Sequence, residues 1–244
     1  YFQWRCDGSS GINPGAAFDN IQIQVSDCAI PVTPRTVALT ATTATLAWSP
    51  GAPNALPINY TVAYRLLNDT VYTELTTNDT ILQINGLQSD SYYYWKVRAN
   101  CSTEDCSLWS ESRVFATSQI SPATTPYVCG FEDASENAAW SSRHVTGPNK
   151  WVVGSAVYLD GDSALYVSDN DGATCSYTNG QNSTDWIYRD IYLQPGNDEY
   201  KVSFDFKGEG RNTHYARVYL GKPEVMFDSF TPEGAELLGG SLYN

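Results

Sequence analysis

The sequence predicts an all-β chain organised as two successive β-sandwiches, and three observations carry that reading. Stretches such as Tyr60-Thr-Val62-Ala-Tyr64 and Tyr93-Tyr-Trp-Lys-Val97-Arg-Ala99 alternate with period two, the pattern of a strand with one buried face. Thr, Ser, Tyr, Gly, Asn and Asp abound: β-branched and aromatic residues favour strands, and Gly, Asn and Asp serve the turns between them. No window of 11 or more residues places apolar side chains at i, i+3, i+4 and i+7, so no long helix is expected. A length of 244 residues suits about two domains of roughly 100 to 200 residues each.

Charge and ends narrow the function classes. Fourteen basic residues stand against 27 acidic ones, a formal charge of −13, and such a surface repels phosphate backbones. Nucleic acid is therefore not expected as a partner. No run of 18 apolar residues occurs, so membrane insertion is not expected either. Residue 1 is no initiator Met, and Tyr1-Phe-Gln-Trp4 reads as the middle of a strand, so the chain is expected to belong to a larger polypeptide. Six cysteines in a Tyr/Thr-rich β protein point to an oxidising, extracellular or cell-surface compartment. A metal-binding role for them is weakly supported, since no C-x-x-C pair occurs.

In chain order, residues 1–26 hold Tyr1-Phe-Gln-Trp4-Arg5, a Gly/Ser/Asn/Pro loop, and Ala17-Phe18-Asp19-Asn20-Ile21-Gln-Ile23. Residues 27–118 follow, with Leu46-Ala-Trp48 on an early strand and the run Leu87-Gln-Ser89-Asp-Ser91-Tyr-Tyr93-Tyr-Trp-Lys-Val97-Arg-Ala99 on a late one. That run resembles the L-x-P-x-T-x-Y-x-x-x-V-x-A signature of the fibronectin type III module, with Ser89 and Ser91 in the Pro and Thr positions. The resemblance places Tyr93 as a corner tyrosine whose hydroxyl bonds back to the backbone. It says little of function, because the sandwich hosts many unrelated activities.

Residues 119–126 form a short linker stiffened by Pro122 and Pro126. Residues 127–244 open on Cys129-Gly-Phe131-Glu132-Asp133 and continue through Asp160-Gly-Asp162-Ser-Ala-Leu165, Asp185-Trp186-Ile187 and Tyr200-Lys-Val202-Ser-Phe204-Asp-Phe206. This order resembles the jelly-roll of cleaved-adhesin and MAM-like domains of secreted bacterial proteins. The last hairpin of such a domain resembles residues 1–26, which are read as the end of an upstream copy. The domain at 127–244 is read as C-terminally incomplete. Strands of about ten residues at roughly 3.3 Å separate the poles of the middle module by about 30 Å, so residues 1–26 are not expected to close the domain at 127–244 of the same chain.

The cysteines lead to two pairings. Cys28 precedes the first strand of the fibronectin-like module and Cys101 follows its sixth, at the same pole. Cys28–Cys101 resembles the pairing in bacterial modules of this kind, and Cys101–Cys106 is the local competitor. Cys129 and Cys175 are expected to bridge if their strands are neighbours, closing a loop of about 46 residues worth roughly 4 kcal/mol by chain entropy. Cys6 is expected to lack a partner in this chain.

Chemistry is sparse. G-x-S-x-G, H-E-x-x-H, P-loop and G-x-G-x-x-G motifs are absent, and only His144 and His214 offer imidazole bases. No enzyme activity is expected. Calcium takes six to eight oxygens from carboxylates and carbonyls, and the MAM-like resemblance implies Glu132, Asp133 and Asp162 as ligands of a structural ion. Aromatic residues invite sugar stacking: Trp151 and Trp186 read as core, whereas Tyr177 and Tyr188 are candidate glycan-binding residues. Five N-x-S/T sequons occur, at Asn59, Asn68, Asn78, Asn100 and Asn182. Asp69-Thr70-Val71, Asp79-Thr80-Ile81 and Asp162-Ser163-Ala164 resemble bacterial O-glycosylation sites. Together these features imply a non-catalytic modular segment of a secreted or cell-surface bacterial adhesin that binds glycan or protein or acts as a spacer. The alternative is an accessory segment of a larger secreted hydrolase or protease.

Overall fold

A computed structural model of the chain describes residues 28–52, 57–196, 199–208 and 215–242. The hairpin expected at 1–26, with Cys6, lies outside the described residues. Seven strands form the first half: β1 (Val32–Leu39), β2 (Thr43–Ser49), β3 (Asn59–Leu66), β4 (Thr73–Thr77), β5 (Ile81–Asn85), β6 (Tyr92–Asn100) and β7 (Arg113–Ala116). They pair antiparallel into a three-stranded sheet, β1-β2-β5, and a four-stranded sheet, β4-β3-β6-β7.

The alternation seen in the sequence decides which face is inside. Along β6, Tyr93, Trp95, Val97 and Ala99 are buried, while Tyr92, Tyr94, Lys96, Arg98 and Asn100 face outward. Ala44, Leu46 and Trp48 of β2 meet them from the facing sheet, and Tyr60 and Val62 of the neighbouring β3 join the same core. Trp95, Phe115, Leu46, Ile84, Val62 and Val97 are the largest fully buried apolar side chains. Tyr93 stacks on Phe115 at 5.4 Å between ring centres, and its Oη accepts the Gln88 N–H at 2.8 Å. The corner tyrosine is therefore where the sequence placed it.

Cys28 and Cys101 are bonded, with Cα atoms 5.7 Å apart, and Cys106 is free and exposed. Beyond β6 the chain returns along it in an unexpected way. Ser107 and Ser110 donate their N–H groups to the Ala99 and Val97 carbonyls, at 2.9 and 2.8 Å. Their hydroxyls accept the Ala99 and Val97 N–H groups in return, at 3.0 and 3.1 Å. Two serine side chains thus continue, by side chain, the ladder that β7 makes by backbone.

The second half holds β8 (Ala123–Thr124), the four-residue helix α1 (Ala134–Asn137), β9 (Ser141–Thr146), β10 (Lys150–Gly154), β11 (Ala164–Ser168), β12 (Thr184–Tyr188), β13 (Ile191–Tyr192), β14 (Ala216–Leu220) and β15 (Glu236–Leu242). They pair two by two, β9 with β12, β10 with β11, β14 with β15 and, in parallel, β8 with β13. Among the described residues α1 is a single helical turn, in agreement with the all-β reading.

Two expectations for this half, the linker and the second bridge, are corrected. Tyr200–Phe206 belongs to no described strand, and Val202, Phe204 and Phe206 are exposed. Residues 119–126 are no free linker, since β8 within them pairs with β13. Cys129 and Cys175 are both free, so the bridge expected between them is not formed. Among the described residues no helix is long and apolar enough to cross a membrane.

Candidate functional site

The outward residues of β6 build an ordered row of rings and cations. Because the strand alternates, Tyr94, Lys96 and Arg98 stand in one row, and neighbouring elements insert rings and cations between them. Arg65 of β3 lies over the rings of Tyr72 and Tyr94, at 5.1 and 4.8 Å. Lys96 Nζ sits between Tyr72 and Trp109, at 4.5 and 4.7 Å, and Arg98 lies over Trp109 at 4.5 Å. Glu74 of β4 ends the row 3.7 Å from Arg98. Each cation–ring contact stabilises by about 0.5–1 kcal/mol at such exposed positions. The row gathers cations on one face of a chain whose net charge is −13. Trp109 reaches it only because the flanking Ser107 and Ser110 fasten that loop to β6, a link the sequence did not reveal.

At the Cys28–Cys101 pole the row opens on a shallow pocket of about 370 Å³. Asn59, Thr76, Asn100, Ser102 and Thr103 bring amides and hydroxyls to it, beside Arg98 and the carboxylate-bearing Glu104 and Asp105. Asn100 Nδ2 donates to Asn59 Oδ1 and to Thr61 Oγ1, at 2.6 and 2.8 Å, fixing the pocket wall.

At the opposite pole the same sheet meets the second half of the chain in a polar joint. Asp90, held at φ 52° in the turn before β6, accepts from Ser141 Oγ at 2.5 Å and from Tyr188 Oη at 2.8 Å. Burial and the neighbouring Asp90 carboxylate push the Tyr188 hydroxyl well above its ordinary pKa. Tyr188, expected as a glycan-binding residue, is thus a joint residue with its hydroxyl turned to the first sandwich. Gln119 and Asp190 bond reciprocally: the Gln119 N–H donates to Asp190 Oδ2 at 2.8 Å, and the Asp190 N–H to Gln119 Oε1 at 3.0 Å. Arg189 Nη1 adds a bond to Gln119 Oε1 at 2.7 Å, while its Nε and Nη2 form a fork on Glu136 at 2.8 and 3.4 Å. The hydrogen bonds from Arg189 and Tyr127 hold the Glu136 carboxyl below its usual pKa, and burial raises that of Asp190. The outward Tyr92 completes the contact. Its Oη donates to the Val225 carbonyl at 3.2 Å and accepts from Phe227 N–H at 3.3 Å, and Arg143 covers its ring at 4.3 Å.

The acidic corner proposed for calcium is partly assembled. Glu132 Oε1 accepts the N–H groups of Asp162 and Ser163, at 3.0 and 3.1 Å, so the opening segment does meet the Asp160–Ser163 loop. Gly161 sits there at φ 73°, a backbone conformation that strains L side chains, with its Cα side turned to Glu132. Asp133 instead caps α1, with Oδ1 accepting from Ser135 N, Ser135 Oγ and Glu136 N. These bonds draw its pKa down. Among the described residues no three His, Cys, Asp or Glu side chains converge as metal ligands. Tyr177 is 43% exposed, and Trp186 packs against Tyr219 and Phe227 at 5.5 and 5.0 Å, as a core aromatic would.

No known family profile matches the chain. A curated mouse (Mus musculus) protein, receptor-type tyrosine-protein phosphatase F, is 33% identical over 106 residues. That match covers 41% of this chain, which spans only 6% of the length of the relative. Among solved structures, the third fibronectin III domain of human KIAA0343 protein is 20% identical, with a TM-score of 0.35, over 42% of this chain and 94% of its own. A structure titled as a myokine is likewise 20% identical, with a TM-score of 0.35, over 38% of this chain and 99% of its own. The three-on-four strand order of the first sandwich and the corner bond of Tyr93 agree with the fibronectin type III resemblance of its sequence. The jelly-roll likeness of the second half gains nothing from these comparisons.

Proposed function

We propose that the chain is a non-catalytic modular segment of a secreted or cell-surface protein, which presents its surfaces in a fixed orientation. Fibronectin type III-like sandwiches are commonly segments of this kind. The observation that carries the proposal is the joint. Asp90, Gln119, Tyr188, Arg189 and Asp190 link the sandwich to the second half by direct hydrogen bonds, several through half-buried groups that lose much if left unpaired. The Cys28–Cys101 bridge supports an oxidising, extracellular setting. The cation–aromatic row and its terminal pocket are the surface we assign to a glycan or protein partner, within a bacterial adhesin of alternating modules. An accessory segment of a larger enzyme is the second reading, favoured by the phosphatase named as the curated relative.

Small-angle scattering tests the fixed orientation. Wild type should fit one compact arrangement, whereas Asp90→Ala, which removes the acceptor of both Ser141 and Tyr188, should show a larger radius of gyration with the first sandwich still folded. Identical scattering for the two proteins would remove the joint as the basis of the proposal.

A further inference from the structure

The five sequons fall into two structural groups, and the difference points to a modification site. Asn59 and Asn100 lie on paired strands β3 and β6 with their amides bonded to each other, Asn100 Nδ2 to Asn59 Oδ1 at 2.6 Å. Both side chains are half-buried, and Asn100 Nδ2 is committed to Asn59 Oδ1 and Thr61 Oγ1. Asn68 and Asn78 are exposed, and no hydrogen bond from either side chain is made among the described residues. They belong to a repeated tetrad, Asn68-Asp-Thr70-Val71 and Asn78-Asp-Thr80-Ile81, each in a turn: Asp69 N–H bonds the Leu66 carbonyl, and Asp79 N–H bonds Thr77 Oγ1. The hydroxyls of Thr70 and Thr80 are likewise uncommitted among the described residues.

The two turns flank one strand, β4, which is the outer strand of the four-stranded sheet. Five residues at about 3.4 Å each set the turns roughly 17 Å apart along that edge. An outer strand offers unpaired N–H and C=O groups to other chains unless something blocks it. Here the strand itself carries only Glu74 as a charge, and that carboxylate faces Arg98. Beside each turn stands an exposed aliphatic side chain, Val71 at 78% and Ile81 at 50% exposure.

We propose that the turns Asn68–Thr70 and Asn78–Thr80 are glycan acceptor sites, and that the glycans cover the free edge of β4 with Val71 and Ile81. The co-reactant is a sugar activated as a phosphate ester. Asn Nδ2 or Thr Oγ1 forms the bond to the anomeric carbon as the carbon–oxygen bond to phosphate breaks. The phosphate leaves with the electron pair, and the acceptor proton passes to a base of the transferase. Asn182 is exposed as well but lies away from this edge, and the proposal does not rest on it.

Glycopeptide mass spectrometry of the full chain, recovered from the secretions of its native host, tests the proposal. Hexose-containing mass increments are expected on both turn peptides and not at Asn59 or Asn100. The paired variants then identify the attachment atom. Loss of both increments in Asn68→Gln/Asn78→Gln assigns the amides. Retention there, with loss in Thr70→Ala/Thr80→Ala, assigns the hydroxyls. Unmodified turn peptides in the secreted wild type would overturn the proposal, as would sugar confined to Asn59 or Asn100. For the edge, light scattering should show several-fold more self-association of sugar-free protein than of secreted protein at equal concentration. Equal scattering would overturn the shielding role.

Discussion

Asp190 sits half-buried in the joint with the Gln119 N–H on one oxygen, and burial raises its pKa from its ordinary value. A carboxyl whose folded pKa exceeds its unfolded one binds protons more tightly when folded. Its contribution to stability is therefore full at acid pH and is lost as pH rises through the folded value. Asp190→Asn keeps an acceptor for Gln119 while removing the charge. Its melting temperature should equal or exceed that of wild type at pH 7, with the difference shrinking as pH falls towards the carboxyl range. Glu136 works in the opposite direction: Arg189 and Tyr127 lower its pKa, so its contribution is lost as pH falls. At Tyr93, removal of the hydroxyl strands the Gln88 N–H, and Tyr93→Phe should cost about 1–3 kcal/mol in denaturant unfolding. Tyr93 was legible because its place in a recurring run of residues implied its role. Asp90, Gln119 and Asp190 were not, since their partners lie on remote segments.

Among the elements, β6 was read correctly because its alternation is unbroken from Tyr92 to Asn100. The segment after it was missed. Ser107 and Ser110 look like loop residues, yet their hydroxyls take the place of a strand's carbonyls beside β6. Ser110→Ala should leave the Val97 N–H unpaired and cost about 1–3 kcal/mol. It should also loosen Trp109, so that near-ultraviolet circular dichroism changes in step with stability. At the acidic corner, Glu132 joins two segments through amide hydrogen bonds, the task the sequence reading gave to calcium. Equal melting temperatures in chelator and in millimolar calcium would leave that task to these hydrogen bonds alone. A rise in calcium that Glu132→Gln abolishes would restore the ion, since binding to the folded state alone must raise stability. The run Tyr200–Phe206 has a strand's alternation but pairs with no described strand, because alternation specifies a face and not a neighbour.

For the molecule as a whole, the two halves differ in how they are held. One contiguous cluster of buried apolar residues, from Cys28 to Phe115, fills the first sandwich and is closed by a disulfide. In the second half the buried apolar residues among those described are Tyr166 and Val225. Calorimetry should therefore resolve the second half melting first. Reductant should lower only the later transition, consistent with roughly 2–5 kcal/mol for loss of a native disulfide. Coincident transitions, or equal sensitivity to reductant, would show that the joint makes the chain a single cooperative unit.

The all-β class, the period-two strands and the corner at Tyr93 were all implied by the order of residues along the chain, and the Cys28–Cys101 bridge was one of the two pairings it left open. Each depends on local spacing or on a recurring module whose strand order is set by its own core. What the tertiary structure alone decided is where polar groups find partners. Tyr188 donates to Asp90, Glu132 accepts from two amides, and Asn100 is committed to Asn59 whereas Asn68 and Asn78 are not. Hydrogen-bond partners separated by tens of residues meet only once the strands have packed, and no periodicity in the sequence records which pairs those are.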